Sequence, residues 1–481
     1  MFGKKCLLPV FAVSLLLLAM FGFSDGSDAE STYDNGDAVF SFSTFGSGIE
    51  SDTYHAILYG VSQTSDVLFI PAALDGHNVT EIADGAMSGL TGTKYVVVPK
   101  TVVKIGDSAF PLNIDTIYFM GDRPDGKLPE ANILYCPGSA GWDTGSEFTV
   151  CKAVSEDGSS VDGLGINGKI VIIGGQAKNG SLTIPSVVDN MPVESVGPYS
   201  FGAEDRGDNN KTHRTDLTAV TIGYGVKTIR ERAFFYQGEL KSIVMPDSVT
   251  NIMDEAFRSD HSLSDCKLPE SLVSIGFETF RECSSLKTIT IPDSVVELND
   301  GSFRLCSGAE TVTVGSGISE IPPNCFGYGS SLKNIVFLGS ISSIGDFAFY
   351  MCSDLETFSV PDSVKTIGRS SFQECRSLAS IDFGNGLEKI DKKAFSSCTS
   401  LTEVSFPSSL REVCDDAFWE CSSLEKAYFD GELPKLGSKS FPEDTELIAD
   451  THSSTNRMLY VAILVVVVIV VLCILHKKQI L

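Results

Sequence analysis

Ten phenylalanines recur along this chain at one fixed interval. Phe234, Phe257, Phe280, Phe303, Phe326, Phe349, Phe372, Phe395, Phe418 and Phe441 are each 23 residues apart. Spacing that regular marks stacked repeats rather than a single globular core. The residues between them repeat too. From Phe280 to Phe303 the apolar positions are Leu286, Ile289, Ile291, Val295 and Leu298, with Pro292 after the third. From Phe349 to Phe372 they are Leu355, Phe358, Val360, Val364 and Ile367, with Pro361. Ile289 and Ile291, two apart, fall on one face of a strand. Pro292 ends that strand because it has no N–H to donate to a continuing ladder. The next stretch, I-G-x-x-A-F-x-x-C, is apolar every three to five residues and predicts a short helical or 3₁₀ turn. One unit cannot bury its apolar side alone, so the units stack into a solenoid. At about 4.8 Å per coil the ten-phenylalanine array spans roughly 45–50 Å.

The register continues upstream with one slip. Phe201 precedes Phe234 by one repeat plus ten residues, and the acidic, glycine-containing segment 202–211 reads as a loop bulging from the coil. A shorter array lies further upstream, where Met87 and Phe110 are again 23 apart with Val96, Val98, Pro99, Val102 and Ile105 in the expected slots. Both arrays open alike. Leu68-Phe69-Ile70-Pro71 leads to Ile82 and Met87, and Leu182-Thr183-Ile184-Pro185 leads to Val196 and Phe201. Two modules are expected, 36–145 and 148–445, followed by a polar link over 446–457.

The two ends set an expected location. Lys4-Lys5, the apolar run 7–23 and Ser24-Asp25-Gly26 have the order of a secretory signal over 1–24. Residues 458–475 form an unbroken 18-residue apolar stretch, just long enough for a membrane helix. His476, Lys477 and Lys478 place the short tail 476–481 in the cytoplasm. The expectation is a single-pass membrane protein with its repeat body outside the cell. A formal charge of −26 argues against nucleic acid as a partner, because phosphates would be repelled.

The units SLKTITIPDSVVELNDGSFRLC and DLETFSVPDSVKTIGRSSFQEC resemble the BspA-like, or treponemal-type, leucine-rich repeats. The resemblance covers most of residues 60–445. It implies a leucine-rich repeat solenoid on a microbial surface protein, used in adhesion to host or neighbour-cell proteins, with no shared catalytic residues. The chain departs from many relatives by lacking a cell-wall sorting motif, for which its C-terminal apolar segment is the substitute.

Several residue patterns bear on chemistry. Cys283, Cys306, Cys352, Cys375, Cys398 and Cys421 occupy one slot, three residues after the repeat Phe. Adjacent coils bring such cysteines within disulfide range, allowing the pairs 283–306, 352–375 and 398–421. In-register side chains point in parallel, however, and free Cys packs well in a core, so buried thiols are expected. Cys136 and Cys151 lie outside this column, where a disulfide or two free thiols both fit. Residues 163–168 match G-x-G-x-x-G, but Lys169 is followed by Ile170-Val171-Ile172-Ile173, a strand, so these are turn glycines and no phosphate cradle. The six histidines are scattered and no catalytic, metal or cofactor constellation is expected.

The position directly after the repeat Phe holds Phe235, Arg258, Arg281, Arg304, Tyr350 and Trp419, residue types that dominate binding hot spots. The competing reading is that the arginines are solvated and paired with Glu255, Glu278 and Glu282. Arg206-Gly207-Asp208 lies in the ten-residue insertion and resembles an integrin-recognition tripeptide. Asn78, Asn179 and Asn210 head N-x-S/T acceptor sequences for glycosylation in an exported chain. The leading expectation is a surface adhesion or ligand-binding protein that presents an extended face to a protein or glycan. The alternatives are a self-associating coat or spacer protein and an accessory module of a surface enzyme.

Overall fold

The computed structural model describes residues 30–34, 38–45, 55–63, 67–74, 77–90, 92–202 and 217–450. The expected signal, the 458–475 apolar segment, the tail 476–481, Arg206-Gly207-Asp208 and Asn210 lie outside these residues. Among the described residues, no helix is long and apolar enough to cross a membrane.

Each 23-residue unit is one coil of a parallel β-solenoid. Thr288–Ile291, Thr311–Val314 and Asn334–Phe337 pair side by side in register. Ile289 and Ile291 are buried while Thr288 and Thr290 are exposed, the alternation a half-buried strand requires. A second short strand follows in each coil, as in Thr228–Ile229, Asn251–Ile252, Ser274–Ile275 and Glu297–Leu298. Between the two, the Pro-Asp-Ser triplets stitch neighbouring coils. Asp293 Oδ1 accepts the Ser316 N–H of the next coil at 2.7 Å, and Ser294 donates to the Leu272 carbonyl of the previous one at 2.7 Å.

The third side of the coil differs from the sequence expectation. The segment around the repeat Phe is a run of turns, and no α- or 3₁₀-helix forms among the described residues. The residues two before and two after the Phe are left-handed, as at Glu255 (φ 54°) and Ser259 (φ 63°), which no helix tolerates. The reason lies in where the amides go. The Arg232, Phe234 and Tyr236 N–H groups donate to the Asp254, Ala256 and Arg258 carbonyls one coil on, at 2.8–2.9 Å. An amide committed to the neighbouring coil is lost to a helix. This side is therefore a third inter-coil ladder.

The phenylalanines stack inside it. Successive rings from Phe201 to Phe441 lie 5.0–6.0 Å apart with planes within 18° of parallel. Phe234, Phe257, Phe349, Phe372, Phe395 and Phe418 are fully buried. The column cysteines are buried free thiols, and Cys136 and Cys151 are also free.

Buried apolar residues fall into two large clusters, Ala38 to Ile133 and Val161 to Phe429, with a small third cluster between them. Each large cluster opens on an antiparallel meander whose last strand joins the parallel ladder. These are Glu30–Asp34, Ala38–Phe45 and His55–Gln63 in the first, and Val150–Val154, Ser160–Ile166 and Lys169–Gln176 in the second. Asn167 and Gly168 make the tight turn of the second meander, both with positive φ, whereas Gly163 and Gly165, expected as turn glycines, lie within the paired strand Ser160–Ile166. The small cluster packs Val97, Tyr118 and Phe69 against Leu164, Ile166 and Val171.

One boundary shifts. The link expected to begin at 446 starts as a strand, since Glu446–Asp450 pairs in parallel with Lys426–Asp430. Leu447, Ile448 and Ala449 give it the apolar content a further strand needs.

Candidate binding face

The turn edge of the main array gathers most of the residues singled out by sequence. The left-handed residue two before the Phe and the residue just after it lie along the turn edge of each coil. In three successive coils the first of these is Arg232, Glu255 and Glu278, and the second is Phe235, Arg258 and Arg281. Arg304 adds the next coil.

The glutamates, not solvent, organise this edge. Glu255 is fully buried and Glu278 is 5% exposed. Arg232 Nε and Nη2 reach the Glu255 carboxylate at 2.5 and 3.2 Å. Arg258 Nη1 lies 3.2 Å from Glu255 and 3.0 Å from Glu278. Arg281 Nη1 donates to both Glu278 oxygens at 2.8 Å, and its Nε lies 3.3 Å from Glu282. Burial works against the charge on Glu255, but Arg232 and Arg258 outweigh it and hold the carboxyl below its usual range. Burial likewise opposes the charge on Arg232, and Glu255 with Tyr199 outweighs it, so its pKa is raised. Glu282 follows the same pattern, with the Ser259 hydroxyl and Arg281 overcoming desolvation to lower it. The pairing with Glu255, Glu278 and Glu282 is therefore present. Even so, the guanidinium ends reach the surface, with side-chain exposures of 23%, 22% and 28% for Arg258, Arg281 and Arg304.

Arg304 is the least committed of the three. Among the described residues its one carboxylate partner is Glu278, at 3.8 Å, and it lies over the Tyr328 ring at 5.3 Å. Tyr328 in turn meets Tyr350 edge-on at 5.1 Å, and Tyr350 meets Phe347 at 5.8 Å. Gly327 occupies the post-Phe position between Arg304 and Tyr350, so no side chain at that slot separates the two coils. Phe235, Arg258, Arg281, Arg304 and Tyr350 thus form one ridge. Phe235 is buried at its start, under the Arg232 and Arg258 guanidiniums at 5.2 and 5.9 Å. Trp419 is 40% exposed but stands three coils beyond Tyr350, apart from the ridge.

Sequence reasoning missed Arg230, Arg232 and Tyr199. The Arg230 guanidinium sits 3.5 Å over the Phe69 ring. The Tyr199 hydroxyl donates to Asn78 Oδ1 at 3.2 Å, and Arg232 Nη1 donates to the same oxygen. Asn78, offered as a glycosylation acceptor, is here a contact between the two arrays. No periodicity could have paired it with Arg232. Asn179, by contrast, is exposed at the tip of the Lys178–Ser181 turn.

A family profile described as a BspA type leucine-rich repeat region, in six copies, matches residues 209–333 and 319–448. No characterised protein sequence matches the chain. Among solved structures, a leucine-rich repeat protein from Bacteroides ovatus is similar at 23% identity, covering 61% of this chain and 98% of that one, with a TM-score of 0.33. The leucine-rich repeat protein of T. pallidum is similar at 26% identity over 43% of this chain and 87% of that one, TM-score 0.36. A leucine rich cell surface protein from Faecalibacterium prausnitzii is similar at 20% identity over 89% of this chain and 97% of that one, TM-score 0.32. The profile match spans the whole ten-phenylalanine array and the ridge built on it, and the chain belongs to the BspA-type leucine-rich repeat family.

Proposed function

We propose that this repeat protein is a cell-surface binding protein that engages an extracellular protein or glycan along its turn edge. In this reading the body lies outside the cell, the apolar segment 458–475 anchors it, and residues 476–481 are cytoplasmic. The observation that carries the reading is the ridge from Arg258 to Tyr350. Arg258 and Arg281 are held in place by buried Glu255 and Glu278 before any partner arrives, and a preorganised side chain loses less entropy on binding. Arginine and tyrosine are also the types that anchor interfaces. The contact is multipoint and shallow, in line with a long solenoid face.

Arg304 and Tyr350 are the residues to replace. Arg258 and Arg281 neutralise buried Glu255 and Glu278, so changing them would confuse binding with folding. The full chain, displayed on cells, is cross-linked to neighbouring cells and host matrix, and captured partners are compared with those of Arg304→Gln/Tyr350→Ala. Loss of a saturable partner in the double variant supports the ridge. Equal capture by both proteins removes it. Concentration-dependent self-assembly with no partner would replace this reading with the surface-coat one, and turnover of a substrate would revive the enzyme-accessory one.

A further inference from the structure

The column three residues after the repeat Phe follows one rule in six coils. Cys283, Cys306, Cys352, Cys375, Cys398 and Cys421 are buried there, and each thiol donates to the carbonyl of the Phe one coil earlier at 3.1–3.4 Å. Near the N-terminal end of the array the same column holds Gln237 and Asp260, both fully buried. Gln237 keeps the rule, since its Nε2 donates to the Phe201 carbonyl. Asp260 as a carboxylate could not, because it has no hydrogen to give. Its Oδ1 accepts the Gln237 backbone N–H at 2.7 Å. Its Oδ2 is buried without a partner, and so is Gln237 Oε1 in the coil beneath. A buried oxygen left without a partner is costly, and a proton on Asp260 Oδ2 turns it into a donor with a bond to make.

The surroundings offer no compensating charge. Among the described residues, no basic side chain pairs with Asp260. The titratable groups facing it are the Cys283 thiol from the coil above and the Cys266 thiol from the neighbouring strand, both held protonated by burial. His261, next in the chain, turns instead to the Glu282 carbonyl at 2.9 Å.

We propose that Asp260 is a neutral carboxylic acid whose Oδ2–H bridges to the coil of Phe234, so that a single proton latches these two coils together. The acceptors in that coil are the Phe234 carbonyl, which the column rule selects, and Gln237 Oε1. Burial pushes the Asp260 carboxyl well above the ordinary carboxylate range, as such a latch requires. The sign follows from that direction. A group that binds its proton more tightly when folded stabilises fully below its unfolded pKa, near 3.9, and that contribution is lost as pH rises through the folded value. The coil that would loosen carries Arg258, at the head of the ridge.

The test uses the full chain in detergent, with ¹³C-carboxyl aspartate, followed by infrared spectroscopy and thermal melting. At neutral pH the native protein should show a carboxylic-acid C=O band that Asp260→Asn lacks. Raising the pH to the alkaline side should lower its Tm by about 2–4 °C. Asp260→Cys, which installs the residue six other coils use, should fold and show a smaller fall in Tm from acid to neutral pH, where thiols keep their protons. A native spectrum with no band lost in Asp260→Asn would overturn the latch. So would parallel Tm profiles for native protein and Asp260→Cys, a comparison that stands even if Asp260→Asn fails to fold.

Discussion

The coils of Phe234 to Phe303 and those of Phe349 to Phe418 share one backbone and differ in what fills its slots. Both halves stack their phenylalanines at 5.0–5.3 Å and repeat the left-handed residues on either side. In the first half the edge slots hold Arg232, Glu255, Glu278, Arg258 and Arg281, and the column beneath begins with Gln237 and Asp260. In the second half the edge slots hold Phe347, Ser370, Lys393 and Asp416 with Tyr350, Gln373, Ser396 and Trp419, and the column is cysteine throughout. The first half thus buries ions in a scaffold the second shows to be complete without them. Buried pairs are rarely the cheapest route to stability, because desolvating them offsets much of their attraction. Their presence on one stretch of edge is the feature on which the proposed binding ridge rests.

The largest effect should come from the shared element. Phe372→Ala removes a fully buried ring from mid-stack and should cost about 3–5 kcal/mol, read as a lower denaturation midpoint. An unchanged midpoint would mean the stack is incidental. Next, Glu255→Gln leaves the buried Arg232 without its carboxylate and takes one of two from Arg258, and should cost about 3 kcal/mol. Glu255 titrates below its ordinary value in the folded state, so its contribution is present above about pH 4.3 and is lost as pH falls through the folded value. The variant should therefore lose less stability on acidification than the native protein, and equal acid profiles would refute the pairing. Cys375→Ala removes one thiol donor and should cost about 1 kcal/mol. The native column should resist thiol reagents until denaturation, whereas rapid labelling would contradict its burial. Smallest of all, Lys435→Ala breaks an exposed pair with Glu412, whose side chains are 78% and 31% exposed, and should leave the midpoint unchanged.

Much of this was legible from the chain alone, because a repeat reports its own geometry. Residues two apart, such as Ile289 and Ile291, marked the buried face of a strand, and Pro292 marked its end. The cysteine column read as buried thiols, and the arginine partners were named among the nearby glutamates. The turn edge was misread because apolar spacing fixes which side chains face inward and says nothing about which way an amide points. A helix and a run of left-handed turns bury the same Ala256 and Phe257. The strand at Glu446–Asp450 escaped because it lies past the last phenylalanine, where the period has no further mark.

The sequence by itself determined the stacking unit, its period and the inward face of each coil, since these depend on contacts between equivalent positions that recur at a constant interval. Only the tertiary structure decided how the two arrays meet and which polar groups share a buried site. Asn78 and Arg232 are 154 residues apart, and Asp260 acquires its unusual surroundings from Gln237, Cys266 and Cys283 together. Contacts of that kind obey no period. They form where folding happens to bring unlike surfaces together, and the low polarity of the interior then makes each unpaired group costly enough to matter.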